Sequence, residues 1–368
     1  MRATPTTAGK SRAFRLRALI AVAASLLLSA CDTLGYYSQA VSGQLYILTH
    51  RQKIDRLLND PATDPQLKTR LNEIANIRRF AADVLGLPVE SQYSTYVDLE
   101  RPFVVWNVFA APVFSLDPQT WCYPVAGCVS YRGYFAEATA RAFADDLRAE
   151  GLDVYVGGIA AYSTLGWFSD PVLNTLLNRQ EHQLAALVFH ELAHQVVYLP
   201  GDTEFNESFA TAVEREGQRR WLQANMANAE RRAELAAAIQ TELTRHQQFV
   251  ELVQTAANDL RELYAGTATI ADMQWAKEQR LQKLRADYAI VKTQWQGYSG
   301  YDSWFAGELN NAQLATVTTY NNLVPAFTAL LAQMGGDMPA FYKRAAELAD
   351  MPADSRRQLL IAAAGGQE

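Results

Sequence analysis

Basic charge, cysteine and long apolar runs are all scarce in this chain of 368 residues. It carries 33 Lys and Arg against 39 Asp and Glu, a formal net charge of −6. That balance leaves no electrostatic footprint for nucleic acid, and no nucleic-acid partner is expected. With only three cysteines, and no further Cys or suitable His near Cys122 and Cys128, a cysteine-ligated metal site is not indicated. The apolar run at 18–30 is too short for a membrane-spanning helix, which needs roughly 20 such residues. Gly and Pro are almost missing from 218–296, where Gly266 stands alone. Internal repeats and low-complexity tracts are missing throughout. What is present is globular material: 49% apolar, 11% aromatic and 20% charged residues, which argues for a sizeable core and against disorder.

The first 30 residues read as a leader. Arg2, Lys10, Arg12, Arg15 and Arg17 form a positive segment, followed by the apolar "ALIAVAASLLLSA", the layout of a signal peptide. Leu28-Ser29-Ala30-Cys31 resembles the lipobox of bacterial lipoproteins, which implies lipidation at Cys31. Asp32 then hints at retention in the inner membrane. Removing the five basic residues of the leader leaves 28 against 39, a net of −11. Attachment to a membrane would therefore rest on the lipid. The expected location is the periplasmic side of the cell envelope. In that oxidising setting Cys122 and Cys128, separated by Pro124 and Gly127, are expected to form a local disulfide.

Along the mature chain, 31–45 reads as a tether and 46–368 as one domain. Helical spacing runs from 46 to 86, and strand-like segments follow at 93–99, 102–114 and 153–166. The adjacent Gly157 and Gly158 point to a bulge or a close approach of backbone. A helix is expected at 135–150, another opening at Asp170-Pro171, and a longer one over 181–198. From 218 to 296 apolar residues alternate at steps of four and three (Ile239, Leu243, His246, Val250, Val253, Ala257, Leu260), the pattern of a long antiparallel helical hairpin. His246 falls in that seam as a polar core residue. His50 and His182 read as surface residues. The expected fold class is α+β, predominantly helical, with a small sheet and the hairpin.

The chemistry concentrates in "ALVFHELAHQVVYLPGDTEFNESFAT", 186–211. His190-Glu191-Leu192-Ala193-His194 is an H-E-x-x-H pattern. On a helix, residues four apart share a face, so two imidazoles can grip one Zn²⁺ while Glu191 reaches an activated water as general base. The flanks Leu184, Ala185, Leu187, Val188, Val196 and Val197 are apolar, and burying these ionisable groups without a partner costs several kcal/mol by the usual penalty. A catalytic zinc needs a third protein ligand. Val197 and Pro200 stand where a metzincin has Gly and His. The acidic candidates are Asp202, Glu204, Glu207, Glu214 and Glu216. Glu207 is chosen, in a run where Phe205, Phe209 and Ala212 can pack inward, with Glu204 as the fallback. "FNESFA" resembles the "LNEGFA" signature in which zinc aminopeptidases place a metal-binding Glu, although the 12 residues between His194 and Glu207 make a shorter spacing than theirs.

Together with the lipobox, "CYPVAGCVSYRGYF", "AYSTLGWFSDPVL", "HELAHQ", "FNESFA" and "NNAQLATVTTYNNLVPAF" make the mature chain similar to the predicted zinc aminopeptidase lipoproteins of Gram-negative bacteria. That resemblance implies a gluzincin-like metallopeptidase with a zincin-like catalytic core, acting on peptide substrates. The G-x-M-E-N segment by which other zinc aminopeptidases hold the substrate amine is absent. By similarity to related zinc enzymes, Tyr320 is a candidate donor to the oxyanion. The competing expectation is a non-enzymatic lipoprotein, with the hairpin binding a protein partner and the metal serving stability. A small-molecule amidase would share the metal residues.

Overall fold

A computed structural model describes residues 35–123, 127–161, 168–318 and 323–365. Cys31, Asp32 and Tyr320 lie outside the described residues. The chain divides into two units at His50/Arg51. In the first, residues 35–49 form helix α1, so helix begins inside the stretch expected to be a tether.

The second unit is predominantly helical with small sheets, an α+β fold. Strands β1 (Gln52–Lys53) and β2 (Thr95–Val97) pair antiparallel. Helices α2 (Ile54–Asn59) and α3 (Pro65–Asp83) lie between them. Asp64 caps α3, accepting from the backbone N–H groups of Gln66 and Leu67, and Pro65 suits the first turn because its missing N–H would have been unpaired there. The main sheet has the order β6-β3-β7, from β3 (Val105–Pro112), β6 (Arg132–Tyr134) and β7 (Leu152–Ile159), all antiparallel. Val105–Ala111 is buried throughout, as its apolar composition requires. Between β3 and β6, β4 (Trp121–Tyr123) and β5 (Gly127–Val129) face each other, with Cys122 opposite Cys128 and joined to it by a disulfide. Helix α4 (Glu137–Ala149) ends at Gly151, whose φ of +85° is the left-handed turn that favours glycine. Gly157 and Gly158 keep regular register with β3. They mark a close approach, not a bulge: a Cβ on Gly158 would lie 2.4 Å from the Phe103 ring.

Asp170-Pro171 leads into a strand where a helix is expected. Gln92 Oε1 accepts from Asp170 N (2.6 Å) and Tyr93 N donates to Asp170 O (2.7 Å). Both backbone groups are thereby taken, and β8 (Val172–Leu173) pairs parallel with β2. A single 3₁₀ turn follows at Asn174–Leu176.

Two helices carry the motif, α5 (Glu181–Ala193) and α6 (Thr203–Asn225). α5 opens where Gln183 accepts from the Gln180 N–H. It closes at Ala193, short of the expected 198. Pro200 offers no N–H and disfavours helix at the preceding Leu199, and the buried Asn206 amide holds both backbone groups of Leu199 at 2.8 Å. His194 is the C-cap yet keeps helical angles, φ −60° and ψ −20°, so the i, i+4 relation with His190 survives. α5 packs on α6 through Phe189, which meets Phe80 and Trp221. Gly217 permits the contact: a Cβ there would stand 2.6 Å from Phe189 Cδ2 and 2.9 Å from Leu85 Cδ1. Gly→Ala within a helix ordinarily gains about 1 kcal/mol. Gly217→Ala is instead expected to destabilise by about 1–3 kcal/mol through overpacking, measured by denaturant unfolding.

The hairpin comprises α7 (Ala229–Ala265) and α8 (Ile270–Gln294). It starts later than 218, because α6 runs on to Asn225 and Asn228 caps a new helix. The pairs Asp259–Arg280 and Gln248–Trp295 show the antiparallel course. Phe249, Val253, Ala257 and Leu260 pack with Leu281, Leu284 and Tyr288. His246 is exposed, not in the seam, with Nδ1 3.2 Å from Tyr301 Oη. The hairpin is fixed to the sheet: the buried Lys277 donates to Asp153 Oδ2 (2.6 Å) and to Val113 O (3.0 Å). Asp153 also accepts from Asn311 N, at the start of helix α10 (Asn311–Thr318), and Asn311 receives the Tyr264 hydroxyl. Short helices α9 (Asp302–Ala306), α11 (Val324–Gln333), α12 (Met338–Ala349) and α13 (Ala353–Gly365) complete the unit. Phe327 and Phe341 pack on Phe209 of α6. No helix among the described residues is long and apolar enough to cross a membrane.

Candidate metal centre

The five acidic candidates of the sequence separate by what each touches. Asp202 caps α6 and pairs with Arg356. Glu204 pairs with Arg357 at 2.6 Å. Glu216 is held by Arg219 and Arg220. Glu207 faces both histidines, with Oε2 3.3 Å from His190 Nε2 and Oε1 3.7 Å from His194 Nε2. Glu214, two turns further along the same face of α6, accepts at 2.9 Å from the other ring nitrogen of His190, Nδ1.

The ligand atoms of His190, His194 and Glu207 all lie within 4.8 Å of one another. In a tetrahedral site with bonds of 2.0–2.1 Å, neighbouring donors stand about 3.3 Å apart. The donor set therefore fits a small divalent cation. A ring nitrogen bound to metal commonly has its partner nitrogen oriented by a carboxylate, and Glu214 stands in that place for His190. His194 Nδ1 is buried with no hydrogen-bond partner among the described residues; its ring is packed edge-on against His190 and Tyr198, with centroids at 4.9 and 6.4 Å.

The electrostatics follow from these placements. Burial works to lower the pKa of His190, but hydrogen bonds to Glu207 and Glu214 prevail and raise it to about 10. Burial drives His194 down to about 4 against the opposing pull of Glu207. Glu207 is held below its ordinary value, because the hydrogen bond from His190 and the two imidazoles outweigh its burial. Burial pushes Glu191 up to about 7, with the His190 charge opposing and Glu207, Asp170 and Glu214 adding to the rise.

A metal on His190 Nε2 must displace the proton that this nitrogen directs at Glu207, while the Nδ1 proton stays on Glu214. Near neutral pH His194 and Glu207 carry no proton to lose. Between about pH 8 and pH 9, where Glu191 is already ionised and His190 still holds its proton, each divalent cation bound is expected to release one proton, and affinity to rise about tenfold per pH unit. Calorimetric titration in buffers of different ionisation enthalpy counts that proton; a count of zero would overturn the assignment of His190 Nε2 as a ligand.

Two residues that interact electrostatically with Glu191 have no warning in the sequence. Tyr93 is buried, and its hydroxyl pKa is driven up by burial and then by the charges of Glu191 and Asp170. It sits at φ +54°, an uncommon conformation for an aromatic residue. Asp170, only 2% exposed, is the loop residue whose backbone holds it there.

A family model described as "Putative aminopeptidase" matches residues 35–360, and the chain belongs to that family. At that level it is a peptidase. No curated protein and no solved structure matches the chain.

Proposed function

We propose that this protein is a zinc-dependent peptidase of the cell envelope, in which His190, His194 and Glu207 hold Zn²⁺ and Glu191 is the general base. The observation that carries this reading is the convergence of two Nε2 atoms and the Glu207 carboxylate at 3.3 and 3.7 Å. Bound Zn²⁺ supplies a charge that acidifies water and polarises a carbonyl. The chain's residues do the rest. Glu214 keeps the His190 ring turned so that Nε2 faces Glu207. Asn206 clamps the loop after His194, next to the ligand it precedes in sequence. Glu191, a half-buried carboxylate with a pKa raised to about 7, is matched to taking and returning a proton near neutral pH. Tyr198 stands edge-on to His194.

Aminopeptidase is the favoured subtype, in keeping with the family. Anchoring through a lipid on Cys31, at the periplasmic face of the inner membrane, belongs to the same proposal. The scaffold alternative is not favoured, since the hairpin is bonded to the sheet through Lys277 and Asn311 and is no free arm. The reading is tested by zinc analysis of the purified protein together with hydrolysis of paired peptides, one with a free amino terminus and one N-acetylated. Hydrolysis of the free peptide alone supports an aminopeptidase, and equal hydrolysis of both an endopeptidase. Bound zinc without hydrolysis of any peptide would overturn the enzyme reading.

A further inference from the structure

A cavity of about 450 Å³ lies between the first turn of α5, the end of α6 and the first turns of α7. Its walls are the buried Trp221 and Leu222, with Met226 and Leu235. His182 also lines it. Expected at the surface, this histidine is 7% exposed. Its carbonyl accepts from Gln218 Nε2 at 3.2 Å, but its ring makes no hydrogen bond among the described residues. Glu181, Arg231 and Glu234 stand at the rim, and none of the three forms an ion pair among the described residues.

An apolar wall, an imidazole with no hydrogen bond to its ring among the described residues, and rim charges of both signs that form no ion pair among them describe the complement of a small dipolar molecule. The volume falls within the roughly 300–1,000 Å³ usual for small-molecule sites. We propose that this cavity is a second binding site, for a short zwitterionic peptide or free amino acid with an apolar side chain. The side chain lies against Trp221 and Leu222. The ammonium group meets Glu181 and Glu234, the carboxylate meets Arg231, and His182 pairs with the ligand's remaining polar atom. His182 and His190 are eight residues apart on one helix, about 12 Å of rise, so the site is separate from the metal centre and does not depend on its chemistry.

The test uses L-leucyl-L-phenylalanine as probe, with calorimetry on a Glu191→Gln background to prevent turnover and with chelator present to strip any metal. Binding is expected to persist without metal. It is expected to weaken at least about tenfold in Arg231→Gln, and in Ala238→Trp, which fills the cavity from an exposed rim position. The same dipeptide, N-acetylated and amidated, is expected to lose at least about tenfold for want of both charges. Ala238→Trp in the otherwise unaltered protein should keep its thermal unfolding and its peptide hydrolysis. The proposal is overturned if the probe fails to bind up to about 10 mM, if metal removal abolishes binding, if the blocked dipeptide binds equally, or if Ala238→Trp leaves binding intact. Failure of the unaltered protein to hydrolyse peptides would sink the peptidase reading and leave this one standing.

Discussion

Glu191→Gln is expected to retain its divalent cation and to lose peptide hydrolysis by about 10²–10⁴-fold, the range contributed by a positioned general base. Glutamine keeps the size of the side chain and removes only its capacity to take a proton. Glu191 is not one of the three groups whose ligand atoms converge, so the substitution leaves the donor set whole. The same change also removes a half-buried titrating group that interacts with His190, Glu207, Asp170 and Glu214. Zinc content by atomic emission and kcat on a peptide substrate, measured on one preparation, separate the two effects. Full zinc with unchanged kcat would refute the role of the residue.

Glu207→Ala is expected to strip the metal, and Glu204→Ala to leave it in place. A substitution that disturbs only an outer partner of a ligand costs about 10–100-fold in metal affinity, so removal of a ligand should exceed that range. Glu207 reaches both imidazoles, whereas Glu204 is paired with Arg357 across the chain. Competition titrations against a chelator read both affinities. Equal loss in the two variants would show that α6 had been disturbed as a whole, and retention of metal in Glu207→Ala would remove the third ligand from the proposal. His190→Ala and Glu207→Ala need not agree in severity, because the former also abandons the Glu214 carboxylate at 33% exposure, a charge left without its partner.

How far the site could be read in advance depended on how local each feature is. The two histidines and Glu191 were legible because a helix relates residues four apart by its own geometry, and that relation held even though α5 ended at Ala193. The disulfide was legible for the same reason, its partners lying six residues apart. Choosing among five carboxylates was harder, since all lie on or next to one helix and differ only in what faces them. Glu207 was favoured on its neighbours, but nothing in the spacing distinguished Glu214 as the group on His190 Nδ1. Tyr93 and Asp170 were invisible, because loops distant in sequence bring them to Glu191. His182 and His246 were misassigned in opposite senses. A helical repeat says which residues share a face, and it does not say whether a neighbour covers that face.

By itself the sequence determined the elements whose geometry is closed within a few residues: the H-E-x-x-H helix, the Cys122–Cys128 ladder and the apolar stripe of the hairpin. The tertiary structure alone decided that Glu207 stands before both imidazoles and Glu214 behind one of them, that α7 is tied to the sheet through Lys277, and that His182 faces a cavity. The division has one physical cause. Backbone periodicity is set by local sterics and hydrogen bonding, whereas the partner of a buried polar group is set by which surfaces pack together, and that contact joins residues the chain order holds far apart.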